Sequence, residues 1–452
     1  MYLRSSIASW PDEARHDDGP GLVPSVPARR LLLLQGPVGP FFRHLAAELH
    51  ARGHTIDRVR FNAGDTMFSG PLPGGGKLYD YREGAALWED WLDAHLRATP
   101  TDAVVLFGSE RPQHRTARRV AASLGIPVVA MEEGYVRPGY VTVERDANNW
   151  RSPLAGRLPP EGRPERRTPG LDLAGGSFWP MVRWAFLYFG WRNVAQRSRQ
   201  SELFHKARPN HREAPRWVRN AWRRATRRDR VVPRLLGELK GRYDLVPLQV
   251  ADDAQLLEAA RGWDNRRLIV ATIASFAAHA PADRHLVFKV HPLERGHTRD
   301  HRLVRRVAAM HGLRDRVHCI MSGPLGPITR NARGMVVINS TSGLTAIAER
   351  KPLLVLGHAI YRNPALARCG EGPRSMDPFW TDEYRGDERL ARHYGAWLVR
   401  EALVPGDFYR SDAMERTARN VADRALAIVA AAQEEHSAAR TSERVVPFPI
   451  RA

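Results

Sequence analysis

The sequence predicts an α/β protein with two Rossmann-like domains and a helical insert between them. Two long stretches of the 452-residue chain alternate short apolar runs with amphipathic segments, and this alternation is typical of parallel βαβ units. The stretch that separates them is instead rich in Pro, Gly, Arg and aromatic residues. Because ligands of open α/β sheets bind beyond the carboxyl ends of the strands, we expect the functional residues at those ends.

The first domain is predicted over residues 29–147. The apolar run LLLL at 31–34 precedes the turn GPVGP and a helix that carries Phe42, Leu45 and Leu49 on one face. The same patterns predict further strands at 56–61, 103–107 and 127–131, helices around 87–92 and 115–124, and a loop, NAGDTMFSGPLPGGG, at 62–76.

The linker and insert are predicted over 148–235 and the second domain over 236–410, followed by a closing helix at 411–436 and a tail at 437–452. Two such domains joined through an insert predict a GT-B-type arrangement, in which substrates bind in the cleft between the domains. The insert carries an aromatic cluster at 178–191 and then a dense run of arginines. These are Arg208, Arg212, Arg216, Arg219, Arg223, Arg224, Arg227 and Arg228.

The composition indicates a basic protein from a reducing compartment. A formal net charge of +20 favours an anionic partner such as nucleic acid, a lipid surface or a phosphorylated substrate. No RRM, KH or helix-turn-helix signature is present, so nucleic acid is not expected. Cys319 and Cys369 cannot build a disulfide framework. Residues 1–28 lack an apolar run and carry several charges, so a secretory signal is not expected there. The apolar stretch at 178–191, interrupted by Arg183, is shorter than the roughly 20 residues that span a bilayer.

Two motifs of the second domain contain candidate anion-binding residues. In FKVHPLERG, at 288–296, Lys289 and His291 follow an apolar strand, where they are suited to a phosphate or carboxylate; the alternative is a capped turn with a structural histidine. In INSTSG, at 338–343, three hydroxyl side chains stand where a strand leads into a helix, and helix N-termini bind anions. Simple N-capping is the alternative, although it requires only one hydroxyl.

A pair of carboxylates, Glu132 and Glu133, ends the strand of VVAMEEGYVRPGYVTVE at 128–144. Adjacent strand residues point to opposite faces, so one of the two is expected in the cleft, as a base or a nucleophile. The alternative is an ion pair with Arg137. Gln249 lies at another strand end, where Asp252 or Asp253 could be the N-cap of the next helix.

Six segments together resemble one protein family. They are LLLLQGPVGPFF, NAGD, EEGYVRPGYVT, LVPLQV, KVHPLERG and INSTSGLTAIAERKPLLVLG, which follow in this order over most of residues 29–365. The chain resembles the capsular polysaccharide biosynthesis and export proteins of the KpsS/LipB type, which are relatives of the KpsC enzymes. Each segment alone is unspecific, and the specificity lies in their joint occurrence.

The resemblance implies a glycosyltransferase that adds a β-linked Kdo residue from CMP-Kdo to phosphatidylglycerol or its lyso form, with retention of configuration. This reaction would start the lipid terminus of a bacterial capsule. The implied location is the cytoplasm, peripheral on the inner face of the inner membrane, with other capsule synthesis or export proteins as further partners. No cofactor and no metal are expected. The HP and Ser/Thr motifs are similar to those that contact CMP in bacterial sialyltransferases.

The resemblance also assigns roles to individual residues. Glu133 is the expected catalytic carboxylate, at a position where KpsC-type segments have Asp, and Glu132 is the substitute. Arg137 or Arg295 is the candidate partner of the Kdo carboxylate. The donor-binding residues are Lys289, His291, Pro292, Glu294, Arg295, Asn339, Ser340, Thr341 and Ser342, and the acceptor- or sugar-binding residues are Gln35, Gly36, Gly39, Asn62, Asp65, Arg137 and Gln249.

Three questions stay open at this point. The protein could instead be a non-catalytic capsule assembly or export component that binds the glycolipid, or a transferase that uses another nucleotide sugar. The basic and aromatic insert either approaches an anionic lipid surface or forms a helical cap with a solvated basic face. In the turn GPVGP, Gly36 and Gly39 either let a ligand approach the backbone or only shape a stiff turn.

Overall fold

The computed structural model describes residues 27–161, 169–172, 176–195, 203, 216, 219–220, 222–223, 226, 229–250, 259–294, 298–382 and 384–443. Two sheets, each covered by helices on both faces, form a two-domain α/β fold in a GT-B-type arrangement. Several residues considered above lie outside the described part: Arg208, Arg212, Arg224, Arg227, Arg228, Asp252, Asp253 and Arg295.

The first sheet has the strand order β13-β6-β5-β4-β1-β2-β3 and is parallel from β5 to β3. Its strands are β1 (Arg30–Leu33), β2 (Thr55–Arg60), β3 (Leu78–Asp80), β4 (Ala103–Phe107), β5 (Val128–Glu133), β6 (Tyr140–Arg145) and β13 (Leu403–Pro405). Its helices are α1 (Phe41–Ala51), α2 (Ala63–Ser69), α3 (Trp88–Ala98) and α4 (Pro112–Ser123), with α5 (Phe178–Val194) from the insert and α12 (Met414–Glu443) from the end of the chain.

The second sheet is fully parallel, with the order β12-β11-β10-β7-β8-β9. Its strands are β7 (Tyr243–Pro247), β8 (His285–Lys289), β9 (Val317–Ile320), β10 (Gly334–Val337), β11 (Leu353–Val355) and β12 (Arg368–Cys369). Its helices are α7 (Asn265–His279), α8 (Asp300–Met310), α9 (Leu325–Asn331), α10 (Ser342–Ala348) and α11 (Glu388–Ala402), with α6 (Val231–Leu236) at the end of the insert.

The run of four leucines that opens the first domain is buried on both faces of the sheet. Leu31 and Leu33 pack with α1 and α12, whereas Leu32 and Leu34 pack on the opposite side with α3 and α4. Because side chains alternate along a strand and parallel sheets are covered on both faces, an uninterrupted apolar run suits this position.

Three parts of the fold differ from the sequence-based expectation. The predicted loop at 62–76 begins with the helix α2, which Asn62 and Asp65 close through a reciprocal capping box. Leu403–Pro405, inside the range predicted for the second domain, pairs antiparallel with β6 in the first sheet. The closing helix α12 continues to Glu443, past the predicted end at 436, and packs on the first domain.

The aromatic helix α5 packs on the first domain through one face. The Trp184 indole donates to the Tyr409 carbonyl at 2.8 Å, and its ring lies 3.0 Å from where a methyl group at Gly39 would be. Tyr188 is buried, and its ring lies 2.8 Å from a methyl group built on Gly64. Gly39, in the turn before α1, and Gly64, in α2, therefore make room for α5.

We expect Gly64→Ala to loosen α5, because the added methyl group overlaps the Tyr188 ring and such overpacking costs about 1–3 kcal/mol. The matched control is Gly190→Ala on α5 itself, where nothing lies within 4 Å and where alanine favours the helix by up to about 1 kcal/mol. Urea unfolding and limited proteolysis within α5 measure both effects. Equal stabilities of the two variants would contradict this packing.

Candidate functional site

The candidate donor-binding residues lie together at the carboxyl edge of the second sheet. Gln249 follows β7, His291 follows β8, and Asn339 follows β10. Since β7 lies between β8 and β10, the HP motif and the hydroxyl motif are separated by two strand spacings, about 10 Å. The structure thus brings these two sequence motifs to one edge.

The hydroxyl motif forms a tight turn. Ser340 Oγ accepts from the Ser342 backbone N–H at 3.2 Å and lies 3.0 Å from Ser342 Oγ, and the Tyr361 hydroxyl donates to the Ser340 carbonyl. Thr341 occupies the N-cap position of α10, but its side chain makes no capping bond. The Ser340 hydroxyl thus binds a backbone N–H at the start of α10 in the manner of a capping residue, whereas the Thr341 hydroxyl has no capping role. The dipole of α10 adds little, because this helix has only seven residues.

Gln249 belongs to this edge of the second domain. Its Nε2 donates to Asn339 Oδ1 at 2.8 Å, and its backbone exchanges two hydrogen bonds with the Asn265 side chain. The sequence assigned Gln249 to the acceptor- or sugar-binding residues, and the structure places it beside the candidate donor-binding residues. Gln249 orients Asn339, immediately before the hydroxyl motif.

The HP motif is held in place by the insert. The Asn220 amide donates to the carbonyls of Pro292 and Leu293 at 3.2 and 2.7 Å, and His291 Nδ1 accepts from the Leu293 backbone at 3.2 Å. This acceptor role assigns the proton of the neutral imidazole to Nε2. Glu294 ends the short helical turn that Pro292 begins.

Lys289 has a structural role. Its side chain is buried, and its ammonium donates to the carbonyls of Ser322 and Gly323 at 3.1 and 2.8 Å. The Asp229 carboxylate holds the same loop through the backbone N–H groups of Met321 and Ser322, at 2.6 and 2.7 Å. Lys289 therefore anchors the loop that follows β9, in contrast to the expected direct contact with a phosphate.

The candidate acceptor-side residues form a buried polar cluster at the carboxyl edge of the first sheet. Gln35 follows β1, while Asn62 and Asp65 follow β2. All three meet at the Tyr188 hydroxyl, which donates to Asp65 at 2.8 Å and lies 3.1 Å from Gln35 Nε2 and 2.9 Å from Asn62 Nδ2. The side-chain oxygen Oε1 of Gln35 accepts from the Arg111 guanidinium at 3.0 Å. The polar side chains of this cluster are therefore hydrogen-bonded to one another.

Gly36 and Gly39 contact protein side chains. A methyl group at Gly36 would lie 2.8 Å from the Phe42 ring, and Gly39, with φ of +108°, faces Trp184. The expectation that both glycines admit a ligand to the backbone is therefore not supported. They admit aromatic rings of the chain itself.

The two carboxylates at the end of β5 point to opposite sides, as strand geometry predicts. Glu132 lies beside Gly108 and Arg111, where burial lowers the pKa of Arg111 and the Glu132 charge opposes that shift. Glu133 pairs with Arg137 and accepts from the Tyr409 hydroxyl at 3.0 Å. The Glu133 side chain is 29% exposed, and Glu132 is also only partly buried, so solvent can reach both residues.

Arg137 donates hydrogen bonds within the first domain. Besides Glu133, its guanidinium donates to the Gly134 carbonyl at 2.8 Å. The ion pair that the sequence left as an alternative is thus present. Burial, followed by the charge of Glu133, raises the pKa of Tyr409 well above its ordinary value, so Tyr409 remains a neutral donor to that carboxylate.

The two edges are linked through the segment after β6. Arg151 pairs with the buried carboxylate of Glu110, in the loop after β4, at 3.4 Å, and Trp150 stacks on His358, after β11, with 5.7 Å between ring centroids. This segment therefore ties a loop at the carboxyl edge of the first sheet to one at the carboxyl edge of the second.

Sequence reasoning missed several residues of the site: Arg111, Tyr188, Asn220, Asp229 and Tyr409. Each comes from a segment that is distant in sequence from the residue it contacts. One signal was available, since Met181, Trp184, Tyr188 and Arg192 recur at helical spacing and predict an inner face for α5. The contacts of Asp229 and Tyr409 had no comparable signal.

Within the described ranges, no group of three or more His, Cys, Asp or Glu side chains is placed to hold a metal ion. The expectation of a metal-free site stays a prediction. In the same part of the chain, no helix is both long and apolar enough to cross a membrane.

Comparison with known proteins assigns the chain to a family. The model of the capsule polysaccharide biosynthesis protein family matches residues 102–409. This chain belongs to that family. It is 33% identical to the Escherichia coli capsule polysaccharide export protein KpsS over 399 residues, which are 86% of this chain and all of KpsS. It is 32% identical to the Neisseria meningitidis capsule polysaccharide modification protein LipB over 397 residues, 84% of this chain and 92% of LipB.

Among solved structures, this chain is similar to Thermosulfurimonas dismutans KpsC, a beta Kdo 2,7 transferase. The identity is 14%, with 76% of this chain and 84% of the KpsC chain aligned and a TM-score of 0.37. The family match and the relatives KpsS and LipB support a capsule-related role.

The start of α4 makes the stability of this family member pH-dependent. His114 is fully buried, with Nδ1 2.8 Å from the Gly108 carbonyl, and burial, assisted by the charge of Arg111, lowers its pKa to about 3. The unfolded chain takes up a proton near pH 6.5, whereas the folded chain does not. The free energy of unfolding therefore falls as the pH drops from about 6.5 toward 3.

We expect this histidine to contribute a loss of about 2 kcal/mol between pH 7 and pH 5. His114→Gln should remove that part of the pH dependence, and His311→Gln, at an exposed position, should leave it unchanged. Urea unfolding at the two pH values measures it. An undiminished slope in His114→Gln would refute the assignment.

Proposed function

We propose that this protein is a glycosyltransferase that moves a β-linked Kdo residue from CMP-Kdo to the hydroxyl of a phosphatidylglycerol or lysophosphatidylglycerol acceptor. The product would be the lipid-linked start of a bacterial capsular polysaccharide. Family membership and the two-domain α/β fold support the coarser part of this proposal. The identity of the donor, the identity of the acceptor and the retaining stereochemistry go beyond that support and are our proposal.

The observation that carries the proposal is the convergence of His291 and the hydroxyl turn Ser340–Ser342 at one sheet edge. The Nε2–H of His291 and the hydroxyls are donors suited to a phosphate. They would stabilise the charge on CMP as it leaves. Lys289 would contribute indirectly, because its ammonium holds the loop after β9, beside the HP motif.

The chemical step breaks the bond between the anomeric carbon and the CMP phosphate oxygen. Glu133 would attack that carbon and form a glycosyl ester, which the acceptor hydroxyl then displaces while its proton leaves to a base or to water. The Tyr409 hydroxyl and Arg137 hold the Glu133 carboxylate in position. Two displacements retain the configuration.

The acceptor would be reached at the inner face of the bacterial inner membrane, where phosphatidylglycerol is an anionic lipid. A net charge of +20 supports this location, because basic proteins gain from the potential of an anionic leaflet. Other capsule synthesis or export proteins would take up the product.

One observation favours a second function, a binding component without catalysis. Glu133 is already engaged by Arg137 and by Tyr409, so its carboxylate could serve only to fix Arg137. A glycolipid would then bind in the cleft without reacting.

Glu133→Gln and His291→Ala distinguish the two functions. We expect each to lower transfer by a factor on the order of 100 or more, since a positioned acid, base or nucleophile contributes about that much. The matched control is Glu89→Gln, which removes an exposed ion pair with Arg119 in the same domain. The measurement is glycolipid formation, followed by mass, from CMP-Kdo and a fluorescent phosphatidylglycerol analogue. Unchanged transfer in folded Glu133→Gln would exclude Glu133 as the reacting carboxylate, and no transfer by the wild type would favour the binding component.

A further inference from the structure

The helix α5 is mostly apolar on every side, with Arg183, Arg192 and Asn193 as its charged and amide residues. Within the described part of the chain, it packs on the first domain through one face. A helix of this kind is normally buried on all sides or in contact with lipid. Its inner face carries Met181, Trp184 and Tyr188, which contact the first domain. The other face is therefore the feature that requires an explanation.

The outer face of α5 is a stripe of exposed residues at helical spacing. Trp179 is 56% exposed, Phe186 is 77% exposed and Val194 is 76% exposed. These positions are seven and eight residues apart, which places them on one side of an α-helix. Large apolar side chains grouped on one exposed face mark an interaction surface, unlike single exposed residues.

A cation lies within this stripe. Arg183 is exposed, and its guanidinium stacks on the Trp184 ring at 4.4 Å, which fixes its position next to the apolar side chains. A second copy of the chain would bring two such arginines and two charges of +20 together. An anionic surface is favoured by the same charges.

We infer that the outer face of α5 (Trp179, Arg183, Phe186 and Val194) docks on an anionic lipid leaflet. Aromatic side chains favour the level of the lipid headgroups, and Arg183 binds a lipid phosphate there. The helix lies in the plane of the interface, because its inner face remains fixed to the first domain. This inference deepens the proposed function and rests on it for the identity of the acceptor.

The surface adjoins the candidate catalytic carboxylate. A groove of about 470 Å³ runs between α5 and the segment after β13, and its lining includes Trp179, Arg183 and Tyr409. Tyr409 in turn donates to Glu133. A lipid headgroup that entered the groove from the leaflet would therefore lie next to the residue that binds Glu133.

Flotation with vesicles of phosphatidylcholine, prepared with and without phosphatidylglycerol, tests the inference. We expect Phe186→Gln to weaken binding to the anionic vesicles about tenfold, because an apolar ring no longer leaves water. Arg183→Gln should reduce the difference between the two vesicle types. The matched control is Met310→Gln on α8, an equally exposed residue of the second domain, which should bind as the wild type does.

Vesicle binding by Phe186→Gln at the wild-type level would overturn the inference. So would gel filtration in which the wild type is a dimer and Phe186→Gln a monomer, because a second copy would then cover α5. A transfer assay with the soluble acceptor glycerol phosphate separates this failure from that of the proposed function. Transfer to glycerol phosphate without Phe186-dependent vesicle binding would refute only the docking surface, and the reverse result would refute only the transferase.

Discussion

The hydrogen bond between the Tyr188 hydroxyl and the Asp65 carboxylate is the contact on which the first-domain part of the candidate site depends. Asp65 also accepts from the backbone N–H groups of Phe61 and Asn62, at 2.9 and 3.2 Å, so one carboxylate fixes both the turn after β2 and the docking of α5. Burial, followed by the charge of Asp65, raises the pKa of Tyr188 well above its ordinary value, which keeps the phenol a neutral donor. Without that hydroxyl, α5 would lose its hydrogen bonds to Gln35, Asn62 and Asp65.

The two sheet edges use their polar residues differently. In the first domain the cluster around Gln35 and Asp65 is saturated internally and supports the fold, while Glu133 remains partly exposed. In the second domain Lys289 and Asp229 hold the loop after β9, and Asn220 holds the HP motif after β8. Both edges therefore combine a rigid polar support with a few partly exposed side chains, Glu133 at the first and His291 with the hydroxyl turn at the second.

The sequence predicted the parallel cores well, because strands buried on both faces leave uninterrupted apolar runs such as Leu31–Leu34. Residue types indicated the HP and hydroxyl motifs as candidate anion sites, and their role in CMP binding, which the family resemblance implies, stays a prediction. It failed where composition conflicts with local capping, as in α2, whose Gly- and Pro-rich surroundings predict a loop. It offered the nearby pair of Glu133 with Arg137 as an alternative. It could not assign the contacts of Lys289 with Ser322 or of Glu133 with Tyr409, since these partners lie far along the chain.

The return of the chain to the first sheet has a consequence for how the protein is made. The edge strand β13 and the covering helix α12 follow the entire second domain in sequence, yet Val421, Ala425 and Val429 bury the same face as Leu31 and Leu33. During synthesis the first domain therefore cannot complete its fold, and one apolar face stays uncovered, until α12 has left the ribosome. Newly made chains would be open to aggregation or to chaperone binding throughout that interval.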